Sequence, residues 1–166
     1  MTRPFRADLI AVILGCFAGA PLVTPVLAQT APDKSEIVAY TGLLSAAASG
    51  DIARIRALTR TGADANVRDA FGRTPLMVAG YRRDIAAAKA LLVADADVNA
   101  LDSQAYDLIT IAAVANDVPM LKLAIASGGN TALVTSPYDG TALIAAAHLG
   151  HAEVVQTLID AKAPLD

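Results

Sequence analysis

Apolar and polar positions along this chain follow a pattern that returns every 33 or 34 residues. Thr41, Thr74, Asp107 and Thr141 stand 33, 33 and 34 apart, and a short apolar run follows each: 43–48, 76–79, 108–114 and 143–147. A side-chain oxygen at these positions can accept the free N–H groups of a first turn, so each run is predicted to be a capped helix. Pro75 suits the first helical position, where its missing N–H costs nothing. Polar breaks hold the same register at Gly50-Asp51, Arg83-Asp84, Asn116-Asp117 and Gly150-His151, and read as the turn into a second helix.

The second helices are predicted over 52–60, 85–93, 118–126 and 152–160. Ile52/Ile55, Ile85/Ala88, Val118/Leu121 and Ala152/Val155 repeat at i, i+3, and Leu58, Leu91, Ala124 and Leu158 extend the stripe. That is the apolar seam of a packed helix. Gly62 and Gly128 then sit where a helix ends in a left-handed residue, with Asp95 and Lys162 in the same place. Lys tolerates that conformation less than Asp, so the fourth helix pair is expected to end loosely. A period of this length means a stack of small units, none able to bury its apolar face alone.

Thr74-Pro75-Leu76, Gly62-Ala63-Asp64-Ala65-Asn66 and Ala96-Asp97-Val98-Asn99 resemble the signature of ankyrin repeats. The resemblance implies an all-α repeat solenoid of about four helix-turn-helix units joined by β-hairpin-like loops. The units fall at about 40–68, 69–101, 102–134 and 135–166, together an ankyrin-repeat domain over 40–166. The third keeps the spacing but has Asp107-Leu108-Ile109 in place of Thr-Pro-Leu. The His that often follows Thr-Pro-Leu is absent, with Leu44, Met77, Thr110 and Ile144 standing there, which leaves open the bond it usually makes between units.

The resemblance also implies a protein partner, met by the hairpin tips and the exposed face of the first helices. The matching positions that stand out are Phe71, Arg73, Tyr81, Arg82, Tyr106, Tyr138 and His148, with Val114, Ala115 and Leu149 beside them. The seam is built from Ala, Leu, Ile and Val, so the aromatics are not obviously spent on packing. Tyr and Arg are also types enriched at binding hot spots.

Hydrophobic residues make up 55% of the 166, and part of that excess comes from the first 28. Residues 1–28 read as a secretory signal peptide. Arg3 and Arg6 form a basic start, 9–20 an apolar stretch, and Val26-Leu27-Ala28 a small-x-small site with cleavage after Ala28. An uncleaved anchor over 9–28 and lipidation at Cys16 are the alternatives. The expected compartment is the periplasm or the exterior; delivery to a host cell as an effector is a variant. Cys16 is the only cysteine, so with the leader removed no disulfide can form and packing alone must hold the fold. Residues 29–39 read as a linker and lead-in helix, with Ser35 as the cap.

Charge is uneven. Units one and two carry eight Arg and Lys against six Asp, net +2; from Asp102 onward two Lys face seven acids, net −5. A solenoid lays this order out along its axis as a dipolar rod. No concentrated basic stripe with interleaved aromatics is present, which argues against a nucleic-acid partner.

Groups for chemistry are few. His148 and His151 lie three apart with no Cys near, too few ligands for zinc. The serines have no His and acid at recognisable spacing, most Asp residues fall at caps and hairpins, and no Gly-rich phosphate loop is present. No enzyme activity, cofactor or metal is therefore expected. A structural role is the competing reading: the last helix resembles an interior unit, which would leave an apolar patch for a homodimer.

Overall fold

A computed structural model describes residues 31–135 and 140–164. Its helices in chain order are α1 (Lys34–Ala39), α2 (Gly42–Ser49), α3 (Ile52–Arg60), α4 (Pro75–Tyr81), α5 (Ile85–Leu92), α6 (Leu108–Val114), α7 (Val118–Ala126), α8 (Ala142–His148) and α9 (Ala152–Asp160). From α2 onward they form four antiparallel pairs. The first helices α2, α4, α6 and α8 stack as one row and the second helices α3, α5, α7 and α9 as another. The result is an all-α repeat solenoid.

Local chemistry explains the regularity. Thr74, Asp107 and Thr141 cap α4, α6 and α8 by accepting the N–H of Met77, Thr110 and Ile144, and Asp51, Asp84 and Asp117 do the same for α3, α5 and α7. Between the helices of each pair, Gly50, Arg83, Asn116 and Gly150 take the left-handed conformation, with φ of 70°, 56°, 53° and 72°. Gly62, Asp95, Gly128 and Lys162 do so after each second helix.

Three expectations need correction. Thr41 stands at the cap of α2 but makes no side-chain bond, because Gly42 enters the helix at φ +54°. The cap of α1 is Asp33 rather than Ser35: Asp33 accepts the N–H of Glu36 at 2.8 Å while Glu36 accepts the N–H of Asp33 at 2.8 Å, a reciprocal box. The fourth pair does not end loosely. Ala163 donates to the Leu158 carbonyl at 3.0 Å, matching Ala63 to Leu58, Ala96 to Leu91 and Gly129 to Ala124, so that bond holds Lys162 in place. The expected signal peptide over residues 1–28, with its cleavage site, falls outside the described residues.

The core runs between the rows and through all four pairs, from Leu43 and Ile55 through Leu76, Leu91, Ile109 and Leu121 to Leu143 and Leu158. Small residues set the spacing. A Cβ on Gly80 in α4 would come within 2.6 Å of Leu108 Cδ1, so any larger residue there requires the Leu108 side chain of α6 to shift.

Outside the core the units are tied by side chains. Asn66 accepts the N–H of Asp97 at 2.7 Å and donates to the Asp95 carbonyl at 3.3 Å. One period later Asn99 accepts the N–H of Asn130 at 2.7 Å and donates to the Gly128 carbonyl at 3.2 Å. The next place in this series is Ala132, and the residue it would serve is Pro164, which has no N–H. There the tie moves inward: Thr110 and Thr135 hydroxyls share a buried bond of 2.6 Å, and His151 Nδ1 lies 3.0 Å from the Ala113 carbonyl.

Candidate partner-binding site

Three loops project beside the first helices. In the loop before α4, Asp69 donates its N–H to the Arg73 carbonyl, and its carboxylate accepts the N–H groups of Phe71 and Arg73. Asp102 repeats this before α6, with its carboxylate accepting from Gln104 and Tyr106. Gly72 and Ala105 take the left-handed corner of the two tips. Ser103 donates its N–H to the Phe71 carbonyl at 2.9 Å, so neighbouring tips are joined. Before α8, Thr135 donates to the Gly140 carbonyl at 2.8 Å.

The proposed contact residues separate into two groups on this frame. Phe71 is 52% exposed at its tip, and Arg82 and His148 are exposed at the ends of their first helices. Leu149, 53% exposed, lies in the register of Arg82. Tyr81 is only partly exposed: its ring packs against Met77, Ala100, Tyr106 and Ile111. Its hydroxyl is buried without a partner, and burial pushes its pKa up. Tyr138 lies outside the described residues.

Arg73 and Tyr106 are corrected. Arg73 is 2% exposed and Tyr106 7%, so neither belongs to an open surface. Both stand immediately before a first-helix cap, in register with Tyr40, and that position faces inward. Arg73 donates from Nε to Asp69 at 2.7 Å and from Nη2 to Glu36 of α1 at 2.8 Å. Tyr40 donates its hydroxyl to the same Asp69 carboxylate at 2.6 Å. The four groups form a clasp that fastens α1 to the first hairpin. Burial works against ionisation of Asp69, but the bonds from Tyr40 and Arg73 outweigh it and hold its carboxyl below the usual range. Phe71 is attached to the clasp from outside, its ring centroid 4.7 Å from the Arg73 guanidinium carbon.

Asp107 is different in kind. It is 1% exposed, one carboxylate oxygen caps α6, and the other has no partner. Burial pushes its pKa up despite the capping bond. Among the described residues no cluster of His, Cys, Asp and Glu could hold a metal ion, and no helix is long and apolar enough to cross a membrane.

Sequence reasoning missed the clasp and the exposure of Ile144 and Val134, at 44% and 55%. The shared register of Tyr40, Arg73 and Tyr106, each directly before a first-helix cap, was the one signal that this position is set apart.

A comparison with curated proteins gives no match. The family model described as ankyrin repeats (3 copies) matches residues 16–102, and that of a single ankyrin repeat matches 138–166. The interval between the matches holds most of unit three, whose helix pair α6 and α7 nevertheless keeps the geometry of its neighbours. On these matches and this architecture, the chain belongs to the ankyrin-repeat family.

Proposed function

We propose that this ankyrin array is an exported, non-catalytic module that binds a protein partner across its hairpin tips and first helices. Ankyrin repeats as a family serve as protein-interaction scaffolds. The observation that carries the finer reading is the exposure of Phe71, Arg82, His148 and Leu149 on tip and helix-end positions. A large ring and a guanidinium beside apolar surface are what a hot spot requires. Export to the periplasm rests on the sequence of residues 1–28.

The test is capture of a partner from periplasmic extract with the wild-type chain and with a Phe71→Ala/Arg82→Ala/Leu149→Ala variant. A partner held by the first and lost by the second supports the site. Equal capture by both removes it.

A second reading has its own observation. Ile144 is 44% exposed, whereas its counterparts Met77 and Thr110 are covered by the following unit, and Ile159 on α9 is 43% exposed. These residues suit self-association with a second copy. Light scattering across micromolar concentrations tests it, and a strict monomer removes it.

A further inference from the structure

The opposite face of the array, formed by the second helices, carries a feature that the hairpin side does not explain. Arg56 on α3, Lys89 on α5 and Lys122 on α7 occupy one register, spaced 33 and 33 in sequence, and all three are exposed. None forms an ion pair or a side-chain hydrogen bond among the described residues. Arg60 adds a fourth cation beside Arg56, its Nε bonded to the Arg56 carbonyl at 3.0 Å.

A groove runs on each side of Lys89. One lies between α3 and α5, with Ile52, Ala90 and Val93 among its lining; the other lies between α5 and α7, with Leu92, Val93 and Leu123. Val93 borders both and is 87% exposed. Asp95 borders both as well.

We infer that this face is a docking site for an acidic amphipathic helix of a partner protein, laid across α3, α5 and α7. The spacing carries the argument. Packed helices stand about 8–10 Å apart, so one cation per helix gives a row with that interval. Seven residues of an α-helix span about 10.5 Å. A helix with Glu or Asp at every seventh position therefore meets Arg56, Lys89 and Lys122 in turn. The apolar residues beside those acids enter the grooves at Val93.

Two observations choose this occupant over a polyanion. Asp95 stands on the lip of both grooves and Asp97 on that of the second; an unbroken negative backbone must pass these acids, whereas carboxylates spaced to the cations can avoid them. The row also stops in unit four, where Gln156 follows in register between exposed Glu153 and Asp160. The helix is thus confined to units one to three, with a neutral or basic segment over unit four.

The test uses the full chain and a labelled synthetic helical peptide with Glu at every seventh position and Leu beside each, followed by fluorescence anisotropy. A second peptide carries Lys in place of Glu, and a third carries the same number of Glu bunched at one end. The expected result is that the first binds about tenfold tighter than either control, and that added salt weakens it. Arg56→Gln/Lys89→Gln/Lys122→Gln removes that tenfold advantage, while Phe71→Ala/Arg82→Ala leaves it unchanged. All three exchanged side chains are exposed, and thermal melts of the variant confirm that it folds. Equal affinity for the spaced and bunched peptides overturns the inference. So does binding untouched by the triple exchange, tighter binding to phosphatidylglycerol vesicles than to the peptide, or a dimer abolished by the triple exchange.

Discussion

Replacing Asp107 by Thr should stabilise this protein. At pH 7 the wild-type side chain holds a buried oxygen with no partner, at 1% residue exposure. An unsatisfied buried acceptor costs about 1–3 kcal/mol. Thr removes that oxygen and keeps the cap, as Thr74 and Thr141 do in the same register, with capping distances of 3.3 and 3.4 Å. Those distances are longer than the 2.7 Å that Asp107 achieves, so part of a cap worth about 1 kcal/mol is lost. The net gain is about 1 kcal/mol, or roughly 4 °C in melting temperature. The sign of the pH dependence follows from burial, which raises the folded pKa of Asp107 above its ordinary 3.8. Between those two values the folded chain holds a proton that the unfolded chain has lost, so wild-type stability falls as pH rises through the raised value. The advantage of Asp107→Thr should be full at pH 7, narrow as pH drops through that value, and be smallest below 3.8. Thermal and urea unfolding of both chains from pH 7 to pH 3 measure it. A variant less stable than wild type at pH 7, or a gap constant across the range, would refute the reasoning.

Arg73→Met strands the carboxylates of Asp69 and Glu36, and since Arg73 and Asp69 are nearly inaccessible the loss should be about 3 kcal/mol by urea unfolding. Amide exchange in α1 should speed up with it. Asp69 has a lowered folded pKa, so its contribution is present above the ordinary 3.8 and is lost as pH falls through the lowered value. Tyr40→Phe removes the 2.6 Å bond to Asp69, and should cost about 1 kcal/mol at pH 7 and flatten the acid limb of the stability curve. Asn66→Ala breaks two bonds between units one and two and should cost about 1–2 kcal/mol, read from denaturant midpoints. Phe71→Ala should change stability by no more than about 0.5 kcal/mol, since its ring is half in solvent.

Helices and turns were legible because each unit repeats the same local devices. Thr74 with Pro75, Asp51, Asp84, Asp117 and the left-handed Gly62 and Gly128 carry their roles in their own backbone chemistry. The sequence also placed Asp95 and Lys162 at left-handed positions, which the structure has at φ of 59° and 61°. The surface was less legible. Arg73 at a hairpin and Tyr81 at the end of a first helix both look in sequence like large exposed side chains, but Arg73 is drawn inward by two carboxylates from different elements and Tyr81 is partly covered by its neighbours. Glu36 lies 37 positions away, and no local pattern announces that pairing. Tyr106 was misread for the same reason: its packing partners Met77 and Ala100 belong to the preceding unit.

The Asn series that stops at Ala132 has a consequence for how the array comes apart. In a one-dimensional stack the order of opening is set by the weakest joint between neighbours. Units one to three are bound both in the core and at the rim, so separating them requires two sets of bonds to break together. Among the described residues unit four lacks the rim bonds; it shares the core through Leu143 and Leu158 and keeps the interior contacts Thr110–Thr135 and Ala113–His151. Thermal or mechanical opening is therefore expected to begin by parting α8 and α9 from α6 and α7, leaving the first three units as a folded core from which the fourth can close again.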